Sequence, residues 1–463
     1  MSKLLVGAAK ACINPTPDMF PVPTHKKDWG KAASPINGVY DDMSVRAIAM
    51  DNGTDKMLFM SYETSTHPAI EDLEDKIAAA TGFPADRIII SGTHNHTAPH
   101  DTPTNPNGDP AWPDEVEWMA KFREIEETKG IECAKAAVAS MRPAKYGFGE
   151  SLSYVNVNRD MLTPGGYWVE ARNLAGYSDH TLAIIKFVDE DGKLIAALMN
   201  HGTHATCCYM MKDADGVVKI SGNFTGIACR FVEEHYGDGA VALWTSGAAG
   251  NQNPLLSHGM QYEYPDGYST AVNYPDGVGH MQMEYMGRWH GADCVKGIDA
   301  ITEYSENMPI TLHGSIIDLP AQKKVMKPGV FFPFRMGDNG VRDYEKWPVG
   351  TRPEVPDTDI LEADPENPVK FRLKLVTLGD IAMLCCNAEL YAEIGRDMKA
   401  ASPFKKTFVV THTDYRKAGY ILDKTAAARG EKVFQAFSNV IPGSADDLII
   451  EGEKALFDKL LEK

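Results

Sequence analysis

Two histidines one residue apart follow the apolar run Ile88-Ile89-Ile90, in the segment Ser91-Gly92-Thr93-His94-Asn95-His96-Thr97. Side chains of a strand alternate with period two, so His-x-His at a strand end presents both imidazoles on one face. Neutral imidazole is a favoured zinc ligand, and such a pair is half of a zinc site. Taken alone, the pair serves equally well as two hydrogen-bonded polar residues. Three further strand ends carry polar groups of suitable type. Leu194 to Leu198 leads into Asn200-His201-Gly202-Thr203-His204. Ile381 to Leu384 leads into Cys385-Cys386-Asn387-Ala388-Glu389. Phe408 to Val410 precedes Tyr415-Arg416-Lys417-Ala418-Gly419-Tyr420. Active residues of open α/β sheets gather beyond the carboxyl ends of strands. Two histidines, a carboxylate and one more oxygen ligand form a site that zinc accepts and where water is activated near neutral pH.

The elements that must position these groups alternate along the chain. Val45 to Met50 and Met57 to Met60 read as strands joined at Asp51-Asn52-Gly53. A helix from Ala69 to Ala80 ends at Gly82, and Arg87 to Ser91 is the next strand. Glu115 to Met141 is helical and closed by Pro143. Further strands are expected at Leu182 to Val188, Leu194 to Asn200 and Val241 to Trp244. Further helices are expected at Phe224 to His235, Glu284 to Tyr304, Leu390 to Lys399 and Ala445 to Leu461. This order predicts a single α/β domain over residues 1–463, with a central mixed, twisted sheet flanked by helices on both faces. Two excursions interrupt it, at 254–279 and 319–368. The first holds Tyr262, Tyr264, Tyr268 and Tyr274, with Trp289 beyond, and suits either stacking on a sugar or aromatic ligand or a self-packed loop. Arg335, Arg342 and Trp347 of the second are candidates to close over a substrate, and His100 and Asp101 to line the cleft.

Bulk properties narrow the function classes. A chain of 463 residues that is 43% hydrophobic and 24% charged can bury a sizeable core. A formal net charge of -18 opposes docking to nucleic acid or to an anionic membrane, leaving a small-molecule substrate as the expected partner; the composition says nothing of oligomeric state. No apolar run is long enough for a membrane span, and Lys10 interrupts any leader, so the expected location is the cytoplasm. None of the eight cysteines forms a C-x-x-C pair, and buried reduced thiols are expected. Cys207 and Cys208, close to His204, leave thiolate ligation as an alternative.

The chain resembles the neutral ceramidases and their bacterial relatives. The family motif Ser-Gly-Thr-His-Thr-His-Ser-Gly-Pro stands here as Ser91 to Pro99, and its Asn-x-Asn-Arg as Asn156-Val157-Asn158-Arg159. His201-Gly202-Thr203, Gly226-Ile227-Ala228, Asn387-Ala388-Glu389 and Ala418-Gly419-Tyr420 match further motifs in the same order, over residues 1 to about 440. The resemblance implies a mixed sheet flanked by helices, with zinc ligands at His94, His201, Glu389 and Tyr420. It implies substrate-facing or supporting roles for His96 and Arg159. A ceramidase-type C-terminal immunoglobulin-like domain is not expected, since the last motif falls near the end of the sequence.

The chain also departs from the family pattern. In the family's Gly-Asp-Val-Ser-Pro-Asn the serine is the proposed nucleophile; here the segment is Gly250-Asn251-Gln252-Asn253-Pro254, and an amide at Asn253 is no such nucleophile. His204 replaces a family serine, Asn223 a family aspartate, and Lys417 a family tyrosine. These changes point away from ceramide. The expected activity is zinc-dependent hydrolysis, a metal-bound water cleaving an amide or ester of a small polar, carbohydrate-like molecule. Arg159 or the zinc is expected to hold the oxyanion, His96 or His204 to move the proton, and Asn253 to orient substrate. The alternatives are a zinc-dependent lyase or isomerase on an oxidised or unsaturated sugar, and a non-catalytic zinc-stabilised binding protein. Manganese and iron suit the same donor types.

Overall fold

The computed structural model describes residues 3–462 except 24–26, 29–30, 33–34, 100–112, 163–167, 210, 257–260, 264–268, 272–274, 325–360 and 432. The candidates His100, Asp101, Tyr264, Tyr268, Tyr274, Arg335, Arg342 and Trp347, and the side chain of Tyr262, lie outside the described residues.

An eight-stranded mixed sheet forms the larger part. Its order is Val241–Ser246, Leu194–His201, Thr181–Asp189, Arg142–Leu152, Leu5–Cys12, Ser44–Asp51, Lys56–Tyr62 and Ile88–Gly92. The pairs at its two ends are parallel and the pairs between them antiparallel. Period-two alternation divides its side chains between two cores. Ile48, Met50, Phe59, Ile89, Ile185, Leu198 and Leu243 face one way. They pack against Val376, Leu378, Met383 and Phe408 of a second, four-stranded sheet ordered Ile310–Leu319, Val369–Leu378, Ile381–Cys386 and Lys406–Val410. On the opposite face of the large sheet, Val45, Ala47, Leu58, Met60 and Ile90 meet helices α1 (Leu73–Thr81) and α2 (Pro113–Ala139). Ile184, Ala197, Met199, Ala242 and Trp244 meet α3 (Asn223–Tyr236) and α4 (Val278–Ala300) on that same face. Leu373, Leu375, Leu384 and Val409 of the small sheet bury α5 (Ala392–Ala401) and α7 (Asp446–Leu461) on its outer face. The short α6 (Lys424–Ala428) is capped by Asp423, whose carboxylate accepts from the backbone N–H groups of Thr425 and Ala426.

The mixed α/β class and the large mixed sheet agree with the expectation from the sequence. The layering is richer than a single flanked sheet: helices cover the outer faces of two sheets that pack on each other. Strands Leu5–Cys12, Arg142–Leu152, Ile310–Leu319 and Val369–Leu378 carry small or alternating polar residues and give weak sequence signals. All eight cysteines are free, and all but Cys12 are buried. Among the described residues no helix is long and apolar enough to cross a membrane.

Candidate metal centre

The three parallel strand pairs of the two sheets end in one place. Across the seam between the two ends of the large sheet, Ser61 Oγ donates to Trp244 O at 2.6 Å. The segment after Val410 ties the small sheet to both: Thr411 N donates to Ser246 O (2.9 Å), Thr413 N to Cys386 O (3.0 Å), and His412 O accepts from Gly92 N (3.3 Å). The segments that follow these strand ends carry His94 and His96, His204, Glu389, His412 and Tyr420.

The His-x-His pair is not positioned by strand alternation. The strand ends at Gly92, and His94 takes the left-handed region, φ 59°. Asn95 between the histidines is the anchor. Its amide nitrogen donates to Glu63 O (3.0 Å) and Ser221 O (2.7 Å), and its oxygen accepts from Thr97 N and Thr97 Oγ1. His96 N donates to Ala205 O at 2.9 Å, which sets this loop beside the one bearing His204. The ligand atoms of His94, His96 and His204 lie within 4.8 Å of one another. Glu389 and Tyr420 are direct partners in a short parallel pairing of Ala388–Leu390 with Gly419–Ile421, which brings both to the same cluster.

Hydrogen bonds decide which nitrogen of each ring faces the cluster. His94 Nδ1 donates to Ser65 O at 2.8 Å and His204 Nδ1 to Gln252 O at 3.0 Å, so the Nε2 atom of each carries a lone pair. These lone pairs converge on Glu389 Oε2, 3.2 Å from His94 Nε2 and 3.4 Å from His204 Nε2. Burial, reinforced by the charge of Arg159, pushes His204 down to about 3, so it is neutral at pH 7 and has no Nε2 proton to offer. Glu389 Oε2 is buried at the centre of this group of rings. Acceptor atoms facing one another in a buried site are the arrangement a cation resolves. The spacings fit as well. His94 Nε2 to His96 Nε2 and His204 Nε2 to Tyr420 Oη are both 3.2 Å. A tetrahedral shell with bonds of about 2.0 Å has edges of about 3.3 Å.

His201 is not brought to this cluster. It ends its strand on the helix-facing side, with Nδ1 at 2.6 Å from Thr203 Oγ1 and Nε2 at 3.0 Å from Ser153 O, its ring beside that of His290. The turn Gly202-Thr203 carries the chain round, and His204 arrives where the resemblance placed His201. The thiols of Cys207 and Cys208 point elsewhere, to Leu256 O and to His280 Nδ1.

Arg159 lies beside the cluster, its guanidinium carbon 5.5 Å from the centre of the Tyr420 ring. It donates to Asn253 Oδ1 (3.2 Å) and Gly250 O (2.6 Å). The other end of the Asn253 amide donates to Glu170 Oε1 at 2.8 Å, so Asn253 bridges a cation and an anion. Burial and the charge of Glu389 push the Tyr420 hydroxyl well above its usual range, so it keeps its proton.

His412 escaped the sequence reading, as did the backbone carbonyls of Ser65 and Gln252 that orient the rings. Its ring stacks on that of His94 with centroids 4.1 Å apart and planes 14° from parallel. The signal was available, because Thr411-His412-Thr413 directly follows the buried strand end at Val410.

No family model matches the chain, and no curated protein matches it in sequence. Among solved structures it is similar to the neutral ceramidase from Pseudomonas aeruginosa, with a TM-score of 0.68 and 15% identity over 99% of this chain and 75% of that one. It is equally similar to a ceramidase complexed with C2, with a TM-score of 0.69 and 15% identity over 99% of this chain and 76% of that one. The arrangement of two helix-covered sheets around a polar cluster is therefore the neutral ceramidase fold.

Proposed function

We propose that the chain is a metal-dependent hydrolase of amides or esters of small polar molecules. The observation that carries this reading is the convergence of the Nε2 atoms of His94 and His204, whose Nδ1 atoms are given to backbone carbonyls, on the buried Oε2 of Glu389, with the Nε2 of His96 alongside. His94, His96, His204 and Glu389 would hold a divalent ion, with Tyr420 beside them. Such an ion, when bound, supplies Lewis acidity that polarises a carbonyl and activates water. The chain's own groups do the rest. Arg159, fixed by Asn253 and Gly250, offers a pre-oriented positive charge to a developing oxyanion. Tyr420 Oη keeps its proton and donates it in the same place. Asn253 and Glu170 present polar groups beside Arg159, which suits a substrate with hydroxyl or amide groups. With an amide engaged at both ends in the position of the family's serine, attack by a protein nucleophile is not part of this proposal.

The test is turnover of a panel of small amides and esters, with ceramide included, in water enriched in heavy oxygen. The expected result is uptake of the label into the product carboxylate from a small polar substrate, lost in Glu389→Gln. A product with a new ultraviolet-absorbing double bond and no label would overturn hydrolysis in favour of elimination. Turnover of ceramide above every small substrate would overturn the substrate class.

A further inference from the structure

We propose that His412 is a positioning residue of the metal centre, its ring stacked on the face of His94 to fix the plane of that ligand. The inference rests on the metal-holding role given above to His94, His204 and Glu389. Three observations lead to it. His412 adopts φ 59°, a left-handed backbone that glycine and asparagine take more readily than histidine. That conformation is imposed by its neighbours, since the backbone of residues 411–413 is hydrogen-bonded to the ends of three different strands, at Ser246, Cys386 and Gly92. Strain held in place by surrounding structure clusters at functional sites. The strained backbone delivers a buried imidazole parallel to the His94 ring at 4.1 Å. Other neighbours hold the ring too: His96 and His204 meet it edge-on, with centroids at 4.6 and 4.4 Å, and Ser65 O accepts a hydrogen bond from its Nδ1. His412 covers one face of that ring.

The physical effect has two parts. A ring clamped on its face and at Nδ1 cannot swing out of the cluster, so Nε2 is aimed before any ion arrives. An imidazole that binds a cation becomes electron-poor, and the negative face of a neutral aromatic ring attracts it. A residue that merely fills space would supply neither.

The full-length protein, His412→Asn and His412→Phe separate these readings. Asparagine tolerates the left-handed backbone but has no ring; phenylalanine keeps a ring and loses the nitrogens. Zinc affinity is measured by competition with a chromophoric chelator, beside the melting temperature of each metal-free protein. His412→Asn is expected to lose about tenfold in zinc affinity, the scale seen when groups that orient a metal ligand are removed, while its metal-free melting temperature stays close to wild type. His412→Phe is expected to bind zinc nearly as well as wild type. Wild-type affinity in His412→Asn overturns the proposal. A loss in His412→Phe as large as in His412→Asn overturns it too, by assigning the effect to the ring nitrogens. A loss that appears only together with collapse of metal-free stability makes His412 a core filler. Failure of the wild-type protein to take up zinc sinks the metal-centre reading itself, a result distinct from equal binding by wild type and variant.

Discussion

At the scale of single residues, metal binding at the proposed centre depends on which nitrogen of each histidine faces the cluster, and the partner of the other nitrogen decides that. His204 and His201 are three residues apart and both fully buried, yet the first gives Nδ1 to a carbonyl and aims Nε2 at Glu389, while the second spends both nitrogens on Thr203 and Ser153. His204→Ala is therefore expected to abolish metal binding, with His201→Ala retaining about one ion per folded chain, as read by plasma mass spectrometry. His201 also gives the fold a pH dependence. Burial holds it down at about 4 against 6.5 when unfolded, so the native state keeps it neutral. Its contribution is fully present above pH 6.5 and is lost as pH falls from 6.5 towards 4, because the unfolded chain then binds the extra proton. The size is about 3 kcal/mol at 1.36 kcal/mol per unit. Urea unfolding at pH 7 and pH 4 is expected to show a fall smaller by roughly this amount in His201→Gln than in wild type. An unchanged pH dependence in the variant would refute it.

At the scale of elements, parallel pairing is what collects the site. Each parallel pair directs two strand ends the same way, and the short pairing of Ala388–Leu390 with Gly419–Ile421 sets Glu389 opposite Tyr420 by register alone. Helices serve mainly to cover the sheets, and α7 carries one feature at odds with that task. Its own Glu453 is fully buried, with both carboxylate oxygens lacking partners among the described residues. Burial pushes it up to about 8. For an acid raised in this way the stabilising condition lies below the unfolded value of 4.5, and stability is lost as pH rises from there through 8. Glu453→Gln, neutral at every pH, is expected to melt close to wild type at pH 5 and clearly above it at pH 9. Equal melting temperatures at both would show that the carboxyl is ionised and solvated in the folded protein.

At the scale of the whole molecule, the candidate ligands come from chain segments around residues 94, 204, 389 and 420, borne by two sheets. An ion held there would cross-link the ends of both sheets in the native state alone. Zinc at about a thousand times its dissociation constant is then expected to stabilise the fold by roughly 4 kcal/mol. Chelation is expected to reverse this, and His204→Ala to show no response. Denaturation midpoints with and without zinc measure it, and a wild-type midpoint indifferent to zinc would count against the centre.

The sequence by itself determined the strands that end in the site, because runs such as Ile88 to Ile90, Leu194 to Leu198 and Ile381 to Leu384 are buried on both faces and read plainly as apolar blocks. It also located six of the seven helices, with α4 beginning and ending several residues earlier than expected and the short α6 unforeseen; Gly82 closes α1 in the left-handed form its position suggested. His94, His96, Glu389, Tyr420 and Arg159 were legible as motif residues, and the structure brings them together. That His204, and not His201, joins the cluster was decided by tertiary structure. Whether a ring at the end of a strand turns to the helix side or to the loop side depends on Ser153 and Gln252, which are remote in sequence. His412 and the second sheet were hidden for the same reason. A left-handed backbone is imposed by hydrogen bonds from three distant strands, and half-polar strands such as Ile310–Leu319 acquire their meaning only once a partner covers one face.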